Sequence, residues 1–175
     1  MEKIPNTNES LHNKIEQAKK TALSLEDLEE VKDQQDQLTS DFIKGLITGQ
    51  EYEEIEKTLD VKEGVVECNS IEDFVECLKL CNFSIDEISE IAKHEQSHYE
   101  VALSKGLEGF YQVQISKKIN EDGSLSGFSF FPAVKIKFPL DMNDEDRRKN
   151  LKEIINAPLD LSPRDKEQIK ETGSI

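Results

Sequence analysis

The feature that most constrains this chain is a change of hydrophobic period just after Gly106. Before it, apolar residues recur every three or four positions, which is helical spacing. After it they alternate: Phe110-Tyr-Gln-Val-Gln-Ile-Ser116, then Leu125 to Phe131, then Ala133-Val-Lys-Ile-Lys-Phe138. Asn120-Glu-Asp-Gly123 reads as a turn, Pro132 as an edge or bulge, and Pro139 as the end of the run. Helical stretches followed by alternating ones predict an α+β fold, with a helix hairpin packed on a three-stranded antiparallel sheet.

The helical half carries its own punctuation. Residues 8–37 read as a polar, solvated helix with a thin stripe (Leu11, Ile15, Ala18, Ala22, Leu25, Leu28, Val31), interrupted near Lys32-Asp-Gln-Gln-Asp-Gln37. Between Leu38 and Leu59, Gly45 and Gly49 mark a break, and Thr48 with Glu51 forms a capping box. Val61 to Asn69 reads as a connector. Ser70 caps a helix with Ile71, Phe74, Val75, Leu78 and Cys81 on one face, and Asn82 is a left-handed stop. Ser84 with Glu87 starts the next helix, which Gly106 closes; so short a link predicts an antiparallel hairpin. Asn143 caps a charged helix over 144–156, Ser162-Pro163 begins a last short one, and 171–175 reads as a loose tail. The expected division is a polar helical arm and hairpin (1–60), a helix-plus-sheet domain (66–140) and a helical C-terminal tail (141–175).

Composition narrows the partners. Hydrophobic residues make up 35% and charged residues 34% of the 175, which predicts a small core with polar helical extensions. The net charge of −15 argues against nucleic acid and anionic membrane and suits a divalent cation. Residues 1–60 alone hold 15 acidic against 7 basic side chains, so the arm is expected to be the most solvated part. Met1-Glu-Lys-Ile-Pro-Asn6 shows no apolar h-region, so no export signal is expected, and no apolar run comes near the roughly 20 residues of a membrane span. Three cysteines without scaffold density fit a reducing compartment, so a cytoplasmic protein is expected.

The chemistry concentrates in Ile91-Ala-Lys-His-Glu-Gln-Ser-His-Tyr-Glu100. Its His94-Glu95-x-x-His98 puts two of the three histidines one helical turn apart, where both imidazoles can reach one metal ion and Glu95 can serve as general base. On a helical wheel Ile85, Ile88, Ile91, Ala92, Tyr99, Ala102 and Leu103 share an arc with Glu95 at its middle. A carboxylate on a buried face is costly without a partner, which a metal and its water would supply. The motif resembles that of zincin-type metallopeptidases. The resemblance implies zinc held by His94 and His98, Glu95 polarising water, and a peptide or protein substrate. Val101 and Ser104 stand where metzincins carry Gly and His, so a third ligand would be a carboxylate; Glu90, one turn before His94, is the nearest choice, with Asp141, Asp144 and Glu145 as others.

Two other metal readings use the same histidines. Cys77-x3-Cys81-x12-His94-x3-His98 has Cys2His2 finger spacing, but the helical pattern around the cysteines opposes the hairpin a finger needs. Glu9-x-x-His12 with Glu95-x-x-His98 would suit a di-metal bundle, which three strands do not. Residues 38–59 resemble the SHOCT helical hairpin through Gly45-Leu-Ile-Thr-Gly-Gln-Glu-Tyr-Glu53, which implies docking or self-association through the N-terminal helices. The leading expectation is a small zinc-dependent hydrolase; the alternative is a non-enzymatic interaction protein whose metal site is structural or absent.

Overall fold

The computed structural model of the protein describes residues 7–157. The expected helix from Ser162 and the tail lie outside them. Six helices and a three-stranded antiparallel sheet follow in the order α1 (Thr7–Thr21), α2 (Leu25–Ile43), α3 (Gly49–Leu59), β1 (Val65–Cys68), α4 (Ile71–Leu80), α5 (Ile85–Ser104), β2 (Glu108–Ile119), β3 (Leu125–Lys137) and α6 (Asp144–Ile155). The fold is α+β, as the change of period requires.

The sheet has three strands, though not the expected three. The alternating runs on either side of Pro132 are one continuous strand, β3, at the edge of the order β1-β2-β3. One side of an edge strand has no neighbouring ladder, so a residue without an N–H is tolerated there. The third strand is β1, inside the stretch read as a connector and ahead of the motif helix. It pairs antiparallel with β2, Val66 opposite Val113 and Cys68 opposite Tyr111.

The described residues group into two compact units: those within 1–28, 61–95 and 110–135 form one, and those within 29–60, 96–109 and 136–157 the other. In the first, α1 packs on α4 and β1. The thin stripe is therefore core: Leu11, Ile15 and Ala18 of α1 and Ala22 just after it are buried, against the solvated helix that the charge count suggested. The acidic residues simply occupy the other faces, which composition cannot reveal. The helix also breaks earlier than the polar block at 32–37. Ser24 accepts from the Asp27 N–H (3.2 Å) to start α2, and Leu23 O accepts from Lys117 N (2.8 Å) on β2.

Packing in this unit is close. Phe74 stacks on Tyr111 with ring centroids 4.9 Å apart, and Phe83 meets Phe130 edge-on. Gly64 enters β1 with φ +72, its carbonyl accepting from Ile115 N (2.7 Å). A Cβ at Gly64 would lie 2.5 Å from the Ile115 carbonyl oxygen, so only glycine fits.

The second unit has a different texture. Phe42, with Leu38 and Ile43 buried beside it in sequence on α2, meets Tyr52 of α3 at 4.8 Å between centroids. Gly45 closes α2 with φ +80, Leu46 N donating to Asp41 O (2.9 Å), and the Thr48–Glu51 box opens α3 as the sequence predicts. Helix α6 then fastens this turn with polar groups. Arg148 Nε donates to Phe42 O (2.7 Å) and its Nη2 to Ile47 O (2.9 Å), while Asp144 accepts from Gly49 N (3.0 Å). Arg147, only 3% exposed, donates to Glu53 (2.8 Å) and to Pro139 O (3.2 Å).

Candidate metal centre

The motif lies on α5, and both ends of that helix are closed by the residues the sequence singles out. Ser84 Oγ accepts from Glu87 N (3.1 Å) while Glu87 Oε1 accepts from Ser84 N (3.4 Å). At the other end Gly106 takes φ +74 and Leu107 N donates to Ala102 O (3.0 Å). Asn82, with φ 67, ends α4 three residues before α5 starts. His94, Glu95 and His98 therefore sit on one uninterrupted helix, with the histidines one turn apart.

Burial corrects the wheel. Ile88 and Ala102 are buried, but Ile85 is 86% exposed and Leu103 is exposed too, because they lie at the ends of the helix. His94, Glu95 and His98 are all half-buried. Glu95 is thus within reach of water, and the desolvation cost that made it conspicuous is smaller than a fully buried face would impose.

Of the two candidate histidines, His98 has the better defined surroundings. Its Nδ1 lies 2.7 Å from the carbonyl oxygen of Ile154 in the last turn of α6. A carbonyl only accepts, so Nδ1 carries the proton, and in the neutral ring Nε2 keeps its lone pair. This is the outer contact that metal-binding histidines use to fix tautomer and ring direction. Around it, Ala102, Leu107 and Ile154 form a buried cluster with Val101, Ile136, Phe138 and Met142 against it, and Lys105 pairs with Glu153.

The remaining candidates are placed less favourably. Glu90 is exposed on α5. Asp144 is engaged with Gly49 N and Arg148, and Asp141 and Glu145 are exposed. Among the described residues no three His, Cys, Asp or Glu side chains converge as a set that could hold a metal ion. The residue types His94, His98 and Glu95 suit zinc chemically, but neither they nor Glu90 converge into a three-ligand set as the side chains stand. The Cys2His2 spacing is not folded as a finger: Cys77 lies in α4 and Cys81 caps it. His12, of the di-metal alternative, is exposed on α1.

Sequence reasoning missed two features. One is Arg148 of α6, whose carbonyl acceptors are about a hundred residues away in the chain. The other is that Cys68, on β1, is a buried free thiol like Cys77 and Cys81. No helix among the described residues is long and apolar enough to cross a membrane. Comparison of the chain with protein families, with curated proteins and with solved structures gives no match.

Proposed function

We propose that the protein is a small zinc-dependent hydrolase acting on peptides, with His94 and His98 as metal ligands and Glu95 as general base. The observation that carries this reading is the 2.7 Å contact from His98 Nδ1 to Ile154 O, the kind of outer hydrogen bond that fixes the tautomer and direction of a ligating imidazole. Zinc, when bound, supplies the Lewis acidity that polarises a carbonyl and makes water acidic enough to ionise near neutral pH. The chain's own part is narrower. The continuous helix holds both imidazoles on one side, the Ile154 carbonyl keeps the His98 ring in one tautomer, and Glu95, half-buried between them in sequence, takes the proton from water. Three free cysteines suit a reducing setting, so we place the protein in the cytoplasm.

The same contact favours a second reading. His98 Nδ1 adds a donor to a carbonyl that already accepts from Asn156 N and Ala157 N (3.2 Å) at the end of α6, so the histidine can be a fastener in a non-enzymatic interaction protein. Elemental analysis of protein purified without added metal, beside a His94→Ala/His98→Ala variant, separates the two. The hydrolase reading expects about one zinc per chain in the first and none in the second. Protein free of zinc in both cases, even after incubation with zinc and gel filtration, removes it. Glu95→Gln is then expected to keep the metal and lose peptide hydrolysis.

A further inference from the structure

We propose that the outer edge of β3 is where a second copy of this chain docks, strand against strand and antiparallel, so that two three-stranded sheets become one of six. β3 ends the order β1-β2-β3, and among the described residues no strand lies beyond it. An edge strand presents N–H and C=O groups without ladder partners, which is a template for another strand. This edge is long: β3 runs for 13 residues, roughly 40 Å, whereas β1 at the opposite edge has 4. It is also open. No residue of β3 is buried, while Tyr111, Val113 and Ile115 of the neighbouring β2 all are.

Charge selects the occupant. A chain of net charge −15 repels its own copies, so two of them can meet closely only where acidic side chains are missing. β3 is the one described element without an Asp or Glu, and the acid-free run extends from Gly123 to Leu140, bounded by Asp122 and Asp141. The other edge is guarded in the usual way, being short and carrying the exposed Glu67. Ile119 and Leu125, exposed by 46% and 52%, stand on either side of the β2–β3 turn and add apolar surface at one end of the open edge.

Lysine and proline, which often blunt an edge, do not block this pairing. A two-fold axis at Phe131, the middle residue of β3, brings the full length of both strands together. Lys135 then falls opposite Gly127 of the other copy and Lys137 opposite Leu125, so no lysine opposes another. Pro132 falls opposite Phe130 and withholds at the most one donor per copy, leaving the ladder to continue on both sides. Ser129 falls opposite Ala133 in each half, which makes the register open to a charge-swap test.

The test is sedimentation equilibrium of the full chain from micromolar to hundred-micromolar concentration at low and high salt, with amide exchange read by mass spectrometry. A dimer of the 20.0 kDa chain is expected, several-fold tighter in high salt, where screening within about 3 Å removes the repulsion between copies. Amides of Leu125–Lys137 should exchange more slowly in the dimer, and those of Val65–Cys68 should not change. Ser129→Glu/Ala133→Glu sets like charges opposite each other in both halves and should weaken the dimer about tenfold. Ser129→Glu/Ala133→Lys opposes unlike charges and should restore it to within about threefold of native. Both variants are read on folded protein verified by circular dichroism. Ile55→Glu, on the exposed face of α3, should change nothing. A chain that stays monomeric at both salts overturns the proposal and leaves the edge to an unrelated strand. A dimer that salt dissolves, that Ile55→Glu abolishes, or that leaves the β3 amides unprotected overturns it equally.

Discussion

The two compact units are held together by different physics. In the first, backbone and rings touch directly: Gly64 lies against the Ile115 carbonyl, Phe74 stacks on Tyr111, and the apolar stripe of α1 closes over α4 and β1. In the second, charged side chains reach the loose ends of helices, Arg148 to the carbonyls of Phe42 and Ile47 and Asp144 to the N–H of Gly49. Such a contrast has a consequence for mutation. A unit built on close approach should fail when volume is added, whereas one built on long polar side chains should fail when donors are removed and should tolerate volume.

The largest effect is expected at Gly64. Alanine there suffers the left-handed conformation, about 1–2 kcal/mol, and an overlap with backbone that cannot rotate away, about 1–3 kcal/mol more. Urea unfolding of Gly64→Ala should show a loss of roughly 2–5 kcal/mol, a large share of the 5–15 kcal/mol that such proteins possess. The control is Gly123→Ala, at φ +87 with nothing within 4 Å of the new methyl, which should lose only the conformational part. Equal losses at the two positions would show that close approach is not what limits the first unit.

Next comes Arg148. Its two donors serve neutral carbonyls and its pairing with Asp144, at 4.0 Å, is loose. Arg148→Ala should cost about 2 kcal/mol, since hydrogen bonds from a charged donor contribute roughly 1.5–3 kcal/mol and partial exposure reduces that. Arg148→Lys keeps the charge without the planar fork and should recover less than half. Because neutral carbonyls are the acceptors, the loss should be nearly the same in low and high salt. A loss that salt abolishes would make Asp144 the true partner and weaken the comparison.

How far these features were legible in the sequence depended on distance along the chain. Every feature closed within five residues was readable: the caps at Ser70, Thr48, Ser84 and Asn143, and the left-handed stops at Asn82 and Gly106. Helix ends are satisfied locally, so their residues announce them. The motif helix was legible for the same reason, and with it the one-turn spacing of His94 and His98. What failed needed a distant partner. Val65-Val-Glu-Cys68 is too short to show alternation and becomes a strand only against β2. Glu95 looked buried because a wheel knows one helix and not what covers it. Ser24 with Asp27 is a local cap of the same kind, and the more polar block at 32–37 stays helical within α2. Cys68 is buried only through the packing of β1 on α4.

The smallest effect at neutral pH is expected at Tyr52, and it probes how dry the second unit is. Desolvation, with the nearby Glu56 carboxylate, raises its phenol from an ordinary 10 to about 12, while a hydrogen bond from Thr39 and the Arg147 charge pull the other way. Between those two values the unfolded chain gives up the proton and the folded chain keeps it. Stability from this group is therefore full below pH 10 and declines as pH rises toward 12, by about 1.4 kcal/mol per unit. Tyr52→Phe should cost no more than about 1 kcal/mol at pH 7, the value of the Thr39 contact. At pH 11 the variant should have closed that gap, because it has no proton to lose. Urea midpoints measured for both proteins at pH 8, 10 and 11 decide the matter. Parallel curves would mean that water reaches the phenol, and that the polar fasteners of α6 surround a wet interior instead of sealing a dry one.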